Sequence, residues 1–202
     1  MSDEAETLIL ASASRSRAAI LRQAGVPFEQ KPADIDEGAI KRDHQRLKKT
    51  PHEAAAALAL AKARAVAKTS PGRLVLGADQ ILACDGVWFD KPTDRAEART
   101  QLYALRGRNH ELITAVCVGR DNRALWEHVE TATLFIRAFG SPFLDAYLEM
   151  EKNKVLSSVG AYRLEGPGAQ LFERIEGDHF TILGLPLLAL LRFLRFQGVL
   201  EV

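Results

Sequence analysis

Cysteine is scarce: Cys84 and Cys117 are the only two in 202 residues. Each sits alone in an apolar, strand-like run. Two isolated cysteines form neither a disulfide framework nor a zinc site, so buried thiols in a reducing compartment are expected. An excess of one charge is lacking too, because 27 Lys and Arg face 26 Asp and Glu, for a net charge of +1. No global field recruits nucleic acid or an acidic membrane, and no basic stripe interleaved with aromatics is present. An anionic ligand must therefore be caught by local basic groups. The longest apolar run, residues 182–191, is interrupted by Gly184 and Pro186 and falls short of a membrane span. Residues 1–6 are acidic rather than basic and the apolar run after them is short, so a secretory leader is not expected and the cytoplasm is.

Several catalytic signatures are missing as well. There is no G-x-x-x-x-G-K-[ST] loop and no G-x-S-x-G elbow. The histidines (44, 52, 110, 128 and 179) show no spacing that suits zinc, and neither cysteine has the basic neighbours of a nucleophile. Internal repeats, low-complexity segments and linkers are also lacking, so residues 1–202 are expected to form a single domain. With 47% hydrophobic residues the chain has material for a sizeable core.

The patterning predicts alternating elements. A buried strand is expected over 7–11, a polar turn over 12–17 and a helix over 18–23, stopped by Gly25. A second short strand is expected over 26–29. An acidic turn at Asp34 to Gly38 then leads into a polar, basic and mobile loop over 39–50. Thr50, Pro51 and Glu53 form a capping-box pattern that opens an alanine-rich helix to about Lys68. A strand over 74–84 ends at the turn signal Asp85-Gly86. Thr93 or Asp94 caps a helix to about Leu105, and strands over 111–118 and 125–139 read as a hairpin. A helix from Ser141 to about Met150, a polar connection over 151–158, strands over 160–164 and 169–175, and a last helix over 186–196 complete the chain. Helix and strand alternate early and a hairpin follows, which indicates a mixed rather than purely parallel sheet.

Five features carry candidate chemistry. Ser12, Ser14 and Ser16 with Arg15 and Arg17 lie between strand and helix, where hydroxyls and free N–H groups make an anion pocket. Cations in a first helical turn oppose the helix dipole by ~0.3–1 kcal/mol unless an anion lies between; plain serine capping with solvated arginines is the other reading. Asp79 lies inside an apolar strand, where a carboxylate costs several kcal/mol unless it meets a metal, a cation or donors. The alternative is an edge-strand acid facing solvent. Gly77 beside it permits a bulge or a close backbone approach. Lys62 shares a helix stripe with Leu58 and Val66, so it either snorkels at the rim of the core or delivers an ammonium to phosphate. Lys91-Pro92 holds a lysine on a stiffened loop, either over a pocket or in solvent. Asp36-Glu37 offers paired carboxylates suited to a hard divalent cation, a pairing also common in ordinary turns.

The order of these segments resembles the Maf-like nucleoside triphosphate pyrophosphatases. The matching residues are Leu8-Ile9-Leu10-Ala11-Ser12-Ala13-Ser14 leading to Arg17, Asp36-Glu37, Leu58-Ala59 with Lys62-Ala63, and Gly77-Ala78-Asp79. Lys91-Pro92, Gly160-Ala161-Tyr162 and Leu183-Gly184-Leu185-Pro186-Leu187 follow, so the resemblance spans nearly the whole chain. It implies an α/β fold of the inosine-triphosphate-pyrophosphatase type, with a long mixed, twisted sheet flanked by helices beside a deep nucleotide cleft. It further implies hydrolysis of nucleoside triphosphates to monophosphate and pyrophosphate with Mg2+ or Mn2+, a house-cleaning role and a homodimer. Asp79 matches the proposed general base, and Arg17, Glu37, Lys62 and Lys91 match charged cleft groups. Ser12, Ser14, Gln80 and Glu165 join them as expected substrate contacts, and Glu37 with Asp79 as the expected metal ligands.

Departures from the pattern bear on the base. The usual Ser-Pro-Arg-Arg is Ser14-Arg15-Ser16-Arg17 here. Gln80 stands where the thymidine/uridine-triphosphate branch has threonine, and Glu165 where it has glutamine; both resemble the 7-methyl-GTP branch. Ser16, however, stands where that branch often has tryptophan. A carboxylate at 165 suits the N1–H and amine of a guanine edge. Two alternatives stay open beside a broad pyrophosphatase: a narrow 7-methyl-GTP pyrophosphatase, and a non-enzymatic nucleotide-binding regulator linked to cell division.

Overall fold

Eleven consecutive residues, Leu74–Cys84, form a strand whose two faces are both covered, which explains why the run shows no polar alternation. The structure, a computed structural model, describes residues 7–201; the acidic segment 1–6 lies outside them. Seven strands make one mixed sheet: β1 (Leu8–Leu10), β2 (Phe28–Gln30), β3 (Leu74–Cys84), β4 (Val87–Phe89), β5 (Asn109–Arg120), β6 (Arg123–Ile136) and β7 (Phe172–Glu176). Their order is β2-β1-β3-β5-β6-β7, with β4 paired to β3. β1 runs parallel to β2 and β3, whereas β4 on β3 and β7 on β6 are antiparallel. The helices are α1 (Arg15–Gln23), α2 (Glu37–Arg46), α3 (Pro51–Ala67), α4 (Arg95–Leu105), α5 (Ser141–Glu151), α6 (His179–Ile182) and α7 (Leu187–Phe196).

The chain divides into two compact units. The first holds the described chain up to Gln80, Thr114–Glu130 and the part from Asp178 onward; the second holds Ile81–Ile113 and Thr131–Gly177. In the first unit, Leu8 and Leu10 of β1, Leu74, Leu76 and Ala78 of β3, and Val116 and Val118 of β5 share a core with α1 and α7. Strand alternation turns Val75, Gly77 and Asp79 to the opposite face, where α3 packs. Its buried residues, Ala54, Ala55, Leu58, Ala59, Lys62, Ala63, Val66 and Ala67, form one helical stripe. In the second unit, Asp85 and Gly86 both take positive φ (49° and 80°), the backbone a two-residue hairpin between β3 and β4 requires.

Several expectations need correction. Residues 39–50 are not a loop, because 37–46 form α2. Asp36 Oδ1 accepts from Ala39 N at 2.8 Å, and Glu37 lies in the first turn. None of its residues is buried and only Ala39 and Ile40 carry apolar side chains, too few for the apolar stripe that marks a helix. α1 begins at Arg15 rather than Ala18, since Ser14 caps it. Residues 160–164 form no strand: Gly160 (φ 76°) and Ala161 (φ 58°) are left-handed in succession. The space of a Gly160 side chain is filled by Leu82 Cδ1 and the Tyr162 ring. The polar connection after α5 contains a 3-10 helix, Lys152–Ser157, and another, Pro167–Leu171, precedes β7. The short strand β4 and helix α6 were not anticipated. Cys84 and Cys117 are buried and unpaired, as expected.

Candidate active site

The first unit gathers four charged side chains. Asp79 is buried, and β3 has β1 and β5 on either side, so the reading as a solvent-facing edge acid fails. Gly77, two residues earlier on the same face, places α3: a Cβ there would lie 2.0 Å from Ala59 O and 2.6 Å from Ala63 N. Helix backbone thus rests directly on the strand, and Ala59 and Ala63 flank the charged residue it delivers. Lys62 is buried rather than snorkelling. Its Nζ donates to Asp79 Oδ1 at 2.5 Å and pairs with Glu37 Oε1 at 2.8 Å. Glu37 reaches in from the first turn of α2 and is about half exposed (47%). Asp36 Oδ1 is engaged in capping α2.

Arg17 is buried in the first turn of α1. Its Nε donates to Gly184 O at 2.7 Å, and its Nη1 to Ser12 Oγ and Ala78 O, both at 3.0 Å. Burial pushes its pKa down from the ordinary value, while the charges of Asp79 and Glu37 act in the opposite direction. Ser12 Oγ also accepts from Ser14 N at 3.3 Å, and Ser14 Oγ caps Arg17 N at 3.3 Å. The segment Leu183-Gly184-Leu185-Pro186-Leu187 gains its meaning here: Gly184 adopts φ 99° and presents its carbonyl to Arg17, while Leu185 and Leu187 enter the core.

Gln80 faces away from Asp79 along the strand. Its Nε2 donates to Thr114 Oγ1 (2.8 Å), Thr181 O (3.0 Å) and Ile182 O (3.1 Å), tying β3 to β5 and α6. Thr114 and Thr181, both fully buried, were not singled out from the sequence. A threonine inside the apolar β5 was the one available signal, and its partners lie far away in the chain. Lys91 and Glu165 belong to the second unit. Lys91 is exposed on the loop after β4. Glu165 Oε1 is 3.5 Å from Arg163 Nε, and Arg163 Nη1 is 3.4 Å from Glu151 Oε2.

For a divalent cation the donor set is hard oxygen, as Mg2+ and Mn2+ prefer, and two carboxylates with substrate oxygens suffice. Asp79 Oδ2 is buried without a hydrogen-bond partner, an observation that suits such a ligand. No group of three or more His, Cys, Asp or Glu able to hold a metal ion occurs among the described residues.

This is an α/β protein in which a buried Asp–Lys pair, a half-exposed glutamate and a clamped arginine gather around the parallel strands β1 and β3. Residues 7–197 match the family described as Maf-like protein. A nucleoside triphosphate pyrophosphatase of Paramagnetospirillum magneticum is 52% identical over 95% of this chain and 99% of its own. One from Granulibacter bethesdensis is 49% identical, over 96% and 99%. A 7-methyl-GTP pyrophosphatase of Mesorhizobium japonicum is 46% identical, over 97% and 98%. The solved dITP/XTP pyrophosphatase of Mycobacterium abscessus covers 94% of this chain at 16% identity and a TM-score of 0.46. The chain belongs to the Maf-like protein family.

Proposed function

We propose that this chain hydrolyses nucleoside triphosphates, modified ones included, to the monophosphate and pyrophosphate, with a divalent cation and Asp79 at the centre. The observation that carries the proposal is the buried Asp79: Oδ1 is bound to Lys62, and Oδ2 is buried without a partner. Family membership and the names of relatives about half identical to it support the reaction class. Glu37 and Asp79 would hold Mg2+ or Mn2+, which when bound neutralises phosphate charge and polarises the α-phosphorus. A carboxylate oxygen that ligates a cation tightly is a weak base, so Asp79 Oδ2 serves one of two roles: ligand to the ion, or acceptor of the attacking water's proton. Lys62 supplies positive charge where negative charge grows on the phosphate oxygens. Arg17, held by two carbonyls and a hydroxyl, sets the local field and fixes Ser12 and the middle of β3 at Ala78.

Lys91 and Glu165 enter the proposal as substrate contacts by the family resemblance, with Glu165 reading the base. Its carboxylate, in place of an amide, favours a guanine edge, and relatives named 7-methyl-GTP pyrophosphatase accord with that second, narrower reading. We place the work in the cytoplasm and the chain in a homodimer. No helix among the described residues is long and apolar enough to cross a membrane.

The test is pyrophosphate release from a panel of triphosphates, 7-methyl-GTP included, with added Mg2+ or Mn2+. Asp79→Asn should lower turnover by about 10²-fold or more with the fold retained; near-normal activity would sink the assignment. Binding without release on every nucleotide would favour a regulator. Glu165→Gln should shift preference towards pyrimidine triphosphates, and an unchanged ranking refutes its role.

A further inference from the structure

We infer that Lys62 is a resident counter-ion that makes cation binding depend on the nucleotide: it holds both carboxylates until a triphosphate gives it a new partner. The inference rests on the reading that Glu37 and Asp79 ligate the cation. Lys62 Nζ touches both acids at once, at 2.5 Å and 2.8 Å, from a third element. A divalent ion on the same two carboxylates would lie against a buried ammonium, where like charges repel with little screening. The Arg17 guanidinium also interacts electrostatically with both acids, so two cations offset two anions and weaken the pull on a free divalent ion.

A triphosphate changes this balance. It adds negative charge, provides further oxygen ligands for the ion, and offers the ammonium another acceptor. Only Lys62 is suited to move: its stem is flexible and its three donors rotate, whereas Nε and Nη1 of Arg17 are bound to Ser12 Oγ, Ala78 O and Gly184 O. Glu37, half exposed on α2, can follow the ion. Cation and nucleotide then bind with positive coupling, each strengthening the other equally.

The experiment is Mn2+ binding followed by electron paramagnetic resonance, without turnover. The wild-type protein without nucleotide should bind Mn2+ weakly, in the millimolar range, and Lys62→Gln should bind Mn2+ alone about tenfold more tightly or better. Lys62→Arg, which keeps the charge, should stay weak. Mn2+ should raise the melting temperature of Lys62→Gln and leave that of the wild type unmoved. If Lys62→Gln is unfolded without metal, Mn2+ should restore its circular dichroism. Low-micromolar Mn2+ binding by the wild type alone overturns the inference with no variant needed. So does a Lys62→Gln protein that binds no more tightly, or an unfolded one that Mn2+ does not restore. Adding Asp79→Asn to Lys62→Gln separates the two claims: if tight binding survives there, the ion sits elsewhere and the reading of the site fails.

Discussion

Gly77 has no side chain, and the place its Cβ would take belongs to the backbone of α3. Alanine there has no flexible neighbour to push aside, since Ala59 O and Ala63 N are main-chain atoms. The helix must lift, and Lys62 moves away from Asp79 with it. Gly77→Ala is expected to destabilise the protein by ~1–3 kcal/mol, the usual range for overpacking. Turnover should fall more than the loss of stability explains. Urea unfolding and pyrophosphate release measured on one preparation check both parts; a variant of normal activity would show that the strand–helix contact does not set the charged pair. The glycine was legible as a point of close approach, but not what approaches it.

At the scale of elements, α3 is the best-specified segment. Thr50 Oγ1 accepts from Glu53 N at 3.2 Å, and Glu53 Oε2 accepts from Thr50 N at 2.8 Å, with Pro51 opening the helix. All three residues lie within four consecutive positions, so the cap was legible. Thr50→Ala should cost ~1 kcal/mol of stability, read as a lower urea midpoint with an unchanged slope; a change below ~0.3 kcal/mol would mean the cap is redundant. α2 was not legible. It buries no residue, only Ala39 and Ile40 carry apolar side chains, and only Asp36 and Glu37 mark its start. The same polarity that suggested a loop leaves Glu37 accessible at the site. Strand 160–164 failed for a different reason, because two successive left-handed residues were invisible in the string Gly-Ala-Tyr-Arg-Leu.

At the scale of the whole molecule, acid stability is set in part by His110 on β5. Its Nε2 is 2.6 Å from the Tyr162 hydroxyl, its ring packs on Tyr162 and Phe172, and burial pushes its pKa down to about 4 from 6.5. The folded state therefore favours the neutral ring. Its contribution is complete above pH 6.5 and is lost as pH falls towards 4, by up to ~3 kcal/mol. Urea unfolding between pH 7.5 and 4 should show a steeper decline for the wild type than for His110→Gln; parallel curves would refute the role of this ring.

What the sequence determined by itself was local or additive: the class of fold, the long strand, the caps and turns, and the charged residues out of place in apolar surroundings. These follow from periodicity and from the cost of burying charge, which need no knowledge of partners. Only the tertiary structure decided that Lys62 meets Asp79 and Glu37 together, that Arg17 is clamped by Gly184 O and Ala78 O, and that Gln80 bonds to Thr114 and Thr181. Those contacts join residues from 17 to 167 positions apart, brought together by packing a helix onto Gly77 and returning the chain through the turn at Gly184. A buried charge announces that it has a partner; only the packing of the elements says which.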